Sequence, residues 1–349
     1  MDRKFYYFDN AASSMPDVRV LERYREFSAA EFANQEAAHS GGYALRKRLE
    51  KAAEELSVAL CGEKRPVIWG NSGSELFNLL ADSPAVAGND VITSPLEHPA
   101  LAANLNRTAK SVSLLPCSDT GKVQIPDAGF LALHHVQSEL GTIQNFPERK
   151  GVTFCDAIQS AGKLPLPHTP EIIAVSGHKF GAVGGAALLL RPDWKEAKKL
   201  LKFAHSYRHT LYRCGRPEVP QLLAMTEAAK LCAAEREERL RRISELNTLL
   251  RSEFNATIPE NSASPYILHL NFPGFQSGVL VRMLSDEGFM VSAGSACASE
   301  TDEPSAAMRA VGFSRKDAFS GLRISFGPQN TIEEAKKLKE VLTRVLKNY

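Results

Sequence analysis

Short apolar runs alternate with amphipathic stretches along most of this chain. Residues 66–69, 90–93, 111–115, 130–136, 152–155, 172–175 and 186–190 form compact runs rich in apolar and β-branched side chains. Runs of that length and make-up predict buried strands. Residues 16–31, 43–61, 74–80 and 99–107 instead carry apolar positions at helical spacing, as with Val20, Tyr24 and Phe27. The first of these helices opens at Pro16, which suits a first turn. Strands alternating with helices predict an α/β fold, a largely parallel sheet with helices on both faces. In such sheets ligands bind at the carboxyl ends of the strands.

The pattern changes after residue 219. Residues 219–254 read as helix, broken little if at all, bridging two domains. There follow a strand at 266–271, a helix at 278–286, a short strand at 289–292, a helix near 304–311, a strand at 321–326 and a last helix at 332–346. This is a smaller α+β domain. The expected division is a large domain over 14–252 and a small one built from 1–13 and 253–349. No internal repeat or low-complexity segment interrupts it.

Composition adds few constraints. The 349 residues are 44% hydrophobic and 23% charged, which supports ample core in two domains or one large one. A formal net charge of +2 gives no electrostatic case for nucleic acid or a membrane surface as partner. No run is long enough to span a bilayer, and the first residues show no secretory signal pattern, so a cytoplasmic location is expected. The six cysteines lack CxxC pairs or zinc spacing, so they read as reduced thiols with no metal site.

Candidate chemistry sits where the predicted strands end. The run 172–175 leads into Ser176-Gly177-His178-Lys179. A lysine at the mouth of a buried strand is poorly hydrated, and desolvation favours the neutral amine that a Schiff base requires. The run 152–155 ends on Asp156, with Gln159 three residues on. A lysine for an aldehyde, an acid for a pyridine nitrogen and a polar side chain for a ring hydroxyl suggest pyridoxal phosphate (PLP). Gly73 and Ser74 lie in a small strand-to-helix turn. Such a turn either offers backbone N–H groups to a phosphate or is a plain helix start capped by Ser74. His98 either lies on a cofactor ring or moves protons, or is simply a histidine in a helix-start turn. Cys297 lies in a Gly- and Ser-rich loop followed by acidic residues, where an exposed thiol can take sulfur as a persulfide. Arg323 sits within an apolar strand and needs an anionic partner, either a substrate carboxylate or a structural ion pair.

Taken in order, these parts resemble the cysteine desulfurases of the class V aminotransferase family, PLP enzymes of fold type I. The resemblance spans essentially the whole chain. Tyr7-Phe8-Asp9-Asn10-Ala11-Ala12 is similar to the family's opening motif, and Asn34 to Gly42 to its Asn-x4-His-x2-Gly loop. It implies that Gly73 and Ser74 hold the cofactor phosphate and that His98 stacks on the ring. Asp156 would take the pyridine nitrogen and Gln159 the phenolic oxygen. Ser176 and His178 would contact the cofactor, Lys179 would hold it, Cys297 would accept the sulfur, and Arg323 with Asn34 would bind substrate. The segment 298–304 resembles that of the subgroup with an extended catalytic-cysteine loop.

Two positions depart from the family. Ser138 stands where an asparagine usually contacts cofactor and substrate. Arg216 stands where a threonine usually reaches the phosphate of the partner subunit, a role a charged side chain can still fill. The tail after the last helix is short, which reduces the segment that some members use to dock a scaffold protein. The resemblance implies a homodimer that converts L-cysteine to L-alanine. The persulfide on Cys297 would then pass to a protein acceptor such as an iron–sulfur scaffold, or into thio-cofactor synthesis. The alternatives are another class V enzyme, an aminotransferase or selenocysteine lyase, and a catalytically weak PLP-binding partner protein.

Overall fold

A computed structural model describes residues 5–207, 218–294 and 303–347. In chain order the elements begin with β1 (Tyr6–Tyr7), α1 (Val18–Ala30), α2 (Ser40–Cys61), β2 (Val67–Gly70), α3 (Gly73–Asp82), β3 (Asp90–Thr93), α4 (Pro99–Thr108) and β4 (Ser111–Leu114). Next come β5 (Phe130–His134), β6 (Thr153–Asp156), β7 (Ile172–Ser176), β8 (Ala186–Leu190), α5 (Ala197–Tyr207), α6 (Val219–Ala234) and α7 (Arg236–Arg251). The chain closes with β9 (Ile267–Asn271), α8 (Ser277–Asp286), β10 (Phe289–Met290), α9 (Ala306–Ala310), β11 (Gly321–Ser325) and α10 (Ile332–Lys347).

Seven strands form the main sheet in the order β2-β8-β7-β6-β5-β3-β4. All run parallel except β8, which is antiparallel to both neighbours. The period of two in β7 shows why the sheet is covered on both faces. Ile173 and Val175 pack into a core shared with Leu45 and Leu56 of α2 and Leu222 of α6. Ile172 and Ala174 point the other way, into a core with Phe77 of α3, Leu101 of α4 and Leu200 of α5. The central strands β5 to β8 are thus buried on both sides and open to a ligand only at their ends, while edge strand β4 is largely exposed.

A second set of elements packs at one end. β11 pairs antiparallel with β9, and β1 from the chain start pairs in parallel with β10. Tyr6, Phe8 and Phe289 join Leu268, Leu322 and Leu338 in a core of their own, to which α7 contributes Ile243, Leu246 and Leu250.

Three expectations need correction. The helical stretch 219–254 is two helices meeting at Glu235, which has φ −105° and ψ 6°. The bend lets α6 bury its apolar face in the sheet core while α7 buries a different face in the second core. Helix α3 is capped by Ser72, whose side chain accepts the Glu75 N–H at 3.2 Å, so Ser74 is not the cap. Helix α5 lies in a stretch with no predicted element. It buries Ala197, Leu200 and Ala204.

Candidate active site

Five connections at the carboxyl ends of parallel strands, with the segment after β1, enclose a cavity of about 310 Å³. Gly73, Ser74, His98, Ser138, Asp156, Gln159, His178, Lys179 and Arg323 all line it. All but Arg323 end or follow strands of the main sheet that are close in space though far apart in sequence, so the sheet collects them at one rim, and Arg323 is brought there by β11.

Lys179 follows β7 through a single 3₁₀ turn over Gly177–Lys179. Gly177 is needed there because a Cβ would stand 2.3 Å from the Gly184 carbonyl oxygen. The half-buried Lys179 Nζ donates to the carbonyls of Ala11 at 2.9 Å and Ala12 at 2.6 Å. Ser176 is fully buried at the end of β7, and its hydroxyl lies 2.9 Å from His178 Nδ1. Burial, helped by the charges of Lys179 and Lys163, pulls the His178 imidazole down to about 4, so the ring is neutral at ordinary pH.

Asp156 ends β6 and is buried, with its Oδ1 accepting the Ile158 N–H at 3.0 Å. Burial pushes its carboxyl up to about 7, the Ile158 bond works against this, and Glu97 adds to it. Across the β5–β6 ladder Asp156 pairs with His134. His134 Nδ1 sits 2.7 Å from Glu97 Oε1, and Ser94 donates to that same oxygen. Gln159 Nε2 donates to the Ala11 carbonyl at 2.9 Å, while its Oε1 is buried and has no partner.

The β2-to-α3 connection brings Gly73 and Ser74 to the cavity as the first two helical residues. Their backbone N–H groups have no intrahelical acceptor and stand at the positive end of the helix. Gly73 has no room for a side chain, since a Cβ would lie 2.5 Å from Ile158 Cδ1. His98 caps α4, its Nδ1 accepting the Ala100 N–H at 3.1 Å, which leaves the ring proton on Nε2. Burial, and then the charge of Lys179, lowers its pKa.

Arg323 is 2% exposed. One terminal nitrogen donates to the Ser138 carbonyl and the other to Asp9 Oδ1, each at 2.8 Å. Its Nε is buried without a partner. The structural ion pair considered for this arginine therefore exists, and the arginine also faces the cavity.

Asn34 is not brought to this cavity. It is exposed, with Oδ1 accepting the Glu36 N–H at 3.0 Å. Cys297 and Arg216 lie outside the described residues. Reasoning from sequence missed the Glu97–His134 pair, although Glu97 directly precedes His98. It also missed Asp9 as the partner of Arg323, although Asp9 stands in the recognised opening motif. No group of three or more His, Cys, Asp or Glu side chains suited to a metal occurs among the described residues. No described helix is long and apolar enough to cross a membrane.

The rim therefore combines an amine, a buried carboxylate, a guanidinium and a helix start suited to an anion. Comparison with known proteins bears on the fold and the family. A cysteine desulfurase IscS of Clostridium botulinum is 26% identical, over 99% of this chain and 95% of its own length. A cysteine desulfurase IscS of Anaeromyxobacter is 28% identical, over 94% and 89% respectively. A solved structure described as a NifS-like protein superposes with a TM-score of 0.83 at 22% identity, over 99% of this chain and all of that one. The family described as Aminotransferase class-V matches residues 6–338, and the chain belongs to it.

Proposed function

We propose that this chain is a PLP-dependent cysteine desulfurase. It converts L-cysteine and the Cys297 thiol into L-alanine and a Cys297 persulfide. The observation that carries the reading is the placement of Lys179, Asp156 and Arg323 around one cavity at the strand ends.

The residues present fit PLP. Asp156 is a buried carboxylate that a protonated pyridine nitrogen would satisfy, and the partnerless Gln159 Oε1 is available to the phenolic oxygen. Gly73 and Ser74 offer the N–H groups of a helix start to the phosphate; His178 lines the same cavity, and Ser176, buried behind it, holds the His178 ring. When bound, PLP draws electrons from the substrate α-carbon and so weakens the bonds around it. Lys179 holds the cofactor and, once released, carries the α-proton on Nζ. Asp156 keeps the proton on the ring nitrogen. His98 stacks on the ring, with a neutral imidazole able to move a proton at Nε2. Arg323 orients the substrate carboxylate, with Ser138 as a further contact; Asn34, exposed and away from the cavity, has no part in this role. The Cys297 thiolate attacks the substrate sulfur, the carbon–sulfur bond breaks, and the alanine carbon takes up a proton.

The reading includes a homodimer in which Arg216 reaches the phosphate site of the partner subunit. Exposed Leu21, Phe32 and Tyr43 near the chain start support an apolar contact surface. It also includes a cytoplasmic location, a protein sulfur acceptor such as an iron–sulfur scaffold, and the division into a large domain (14–252) and a small domain (1–13 with 253–349).

Single-turnover incubation with L-cysteine tests the proposal. The expected result is one alanine released per site and one sulfur atom gained on Cys297 by intact-protein mass. PLP-loaded protein that yields neither overturns it, as does full turnover by Cys297→Ser.

A further inference from the structure

A second cavity, of about 440 Å³, shares Lys179 with the first but has no part in the proposed chemistry. Its wall is mostly apolar, with Phe180, Phe326, Pro328 and the ring of Tyr266 inside, and Met15 and Val18 at the surface. Met15 is 51% exposed and Val18 66%, so the opening reaches solvent through flexible or small side chains.

Lys163 lines this cavity and is 6% exposed. Among the described residues no carboxylate lies within ion-pair reach of its Nζ. Its Nζ faces the ring of Tyr266, 5.9 Å from the centroid. The carboxylate on the wall is already engaged, since Asp17 is held by Arg19 at 2.7 Å and lies 3.7 Å from Arg239. Of the other cations on the wall, Arg19 and Arg239 are paired with Asp17 and with Glu235 behind it, so Lys163 is the lining cation that an entering anion would neutralise. A buried ammonium without a counter-ion is costly, and an entering anion would offset that cost. A volume of this size matches a small organic ligand better than a bare ion.

We propose that this cavity binds a small monocarboxylate with an apolar body, its carboxylate pairing with Lys163 and its body lying against Phe180, Phe326 and Tyr266. Because the site shares Lys179 with the cofactor cavity, an occupant adds a negative charge beside that lysine.

The binding depends on pH through Lys163, which burial pulls down to about 7. The other groups facing it hold their charge state between pH 6 and 8.5. The Asp17 carboxyl is held low by Arg19, and the arginines stay charged. Burial raises the Cys232 thiol and takes the Tyr266 phenol up to about 12. His178 is neutral throughout.

Calorimetric titration of the holoenzyme with benzoate tests the site. Saturable one-to-one binding is expected at pH 6, weakened at least tenfold at pH 8.5. Lys163→Met keeps the length of the stem and should weaken binding tenfold or more at pH 6. Val18→Trp, at an exposed position, should obstruct entry with the fold intact. Arg323→Met should leave binding unchanged, which separates this site from the substrate site. No saturable binding to wild type at pH 6 overturns the proposal. So does undiminished binding by Lys163→Met, equal binding of neutral benzamide, or loss of binding in Arg323→Met. Binding is read without turnover, so the result stands whichever way the desulfurase assay falls.

Discussion

Gly177→Ala is the sharpest perturbation of the site that leaves every functional side chain in place. A Cβ at this position would lie 2.3 Å from the Gly184 carbonyl oxygen, 2.9 Å from Ala182 Cβ and 2.9 Å from Met225 Cγ. These atoms belong to two different parts of the fold, and the closest is backbone. No single rotamer change relieves them. The turn is also tied down by the Gly177 N–H on the Gly185 carbonyl at 2.9 Å and by Phe180 and Ala182 donating to the Gly177 carbonyl. Overpacking of this kind costs about 1–3 kcal/mol, and the backbone contact places Gly177→Ala at about 3 kcal/mol. The backbone must move to accommodate it, and Lys179 is two residues away. Chemical denaturation should therefore show the stability loss, and the fraction of protein carrying covalent cofactor should fall with it. Gly278→Ala is the control, since nothing lies within 4 Å of its added Cβ and it sits in the first turn of α8. It should stabilise by up to about 1 kcal/mol. Adding Met225→Ala to Gly177→Ala should recover only part of the loss, because the Gly184 carbonyl remains. If Gly177→Ala is within about 0.5 kcal/mol of wild type and fully loaded with cofactor, the account of this turn is wrong.

Asp156→Asn should change how the cofactor-free protein responds to pH. Burial pushes the folded carboxyl up to about 7 against 3.8 for a freely hydrated one, so its stability contribution is fully present below about pH 4 and is lost as pH rises to 7. Between pH 5.5 and 8, urea denaturation should therefore show Asp156→Asn gaining about 2 kcal/mol on wild type; parallel curves would refute this. Lys179→Ala should abolish the covalent cofactor adduct seen by denaturing mass spectrometry after borohydride reduction, and an adduct of unchanged yield would move the lysine assignment elsewhere. Gly73→Ala should push Ile158 towards the cofactor space and weaken PLP affinity about fivefold, for a rotamer cost of about 1 kcal/mol. Ile158→Val, which removes the clashing methyl, should restore affinity, and failure of that rescue would separate the effect from the contact.

Much of the sheet was legible because its strands are short apolar runs that end in small polar turns. Ile172 to Ser176 followed by Gly177-His178-Lys179 has that form, and so has Thr153 to Asp156. The reversed direction of β8 was legible in principle. Only nine residues separate β7 from β8, fewer than a parallel crossover requires. Helix α5 was harder to read because its lysine-rich stretch buries mainly small residues, Ala197 and Ala204 beside Leu200. The bend at Glu235 has no glycine or proline to announce it. Its cause is tertiary, for Glu235 takes ion pairs from Arg239 in the next turn and from Arg19 in α1. Arg323 and Asp9 are 314 residues apart, and they meet because the segment after β1 runs alongside β11, with the Ser325 N–H donating to the Phe8 carbonyl at 2.7 Å and a parallel bridge between Asp9 and Ser325.

That distant pair also bears on the two departures from the family. On the proposed reading Ser138 replaces an asparagine that touches substrate, which would loosen the site if the side chain held Arg323. The contact is instead made by the Ser138 carbonyl, a backbone atom that either residue supplies. With Asp9 on its other terminal nitrogen, the guanidinium is fixed in its plane, and only Nε lacks a partner. Beneath it, His269 pairs with Arg323 across the β9–β11 ladder and is held down to about 3 by burial, so no like charge opposes the arginine. A shorter side chain at 138 therefore widens the cavity without releasing the arginine. Asp9 already balances the charge of Arg323, so a substrate carboxylate gains from donor geometry at Arg323 and from the charge of Lys179. Discrimination at this end of the cavity should then follow the shape of the substrate beside Ser138 more than the presence of its carboxylate. The departure at Arg216 is of a different kind, since it adds a charge where the family has a hydroxyl. On the proposed reading, in which the chain is a homodimer, its effect would fall on the phosphate of the partner subunit, and so on cofactor retention.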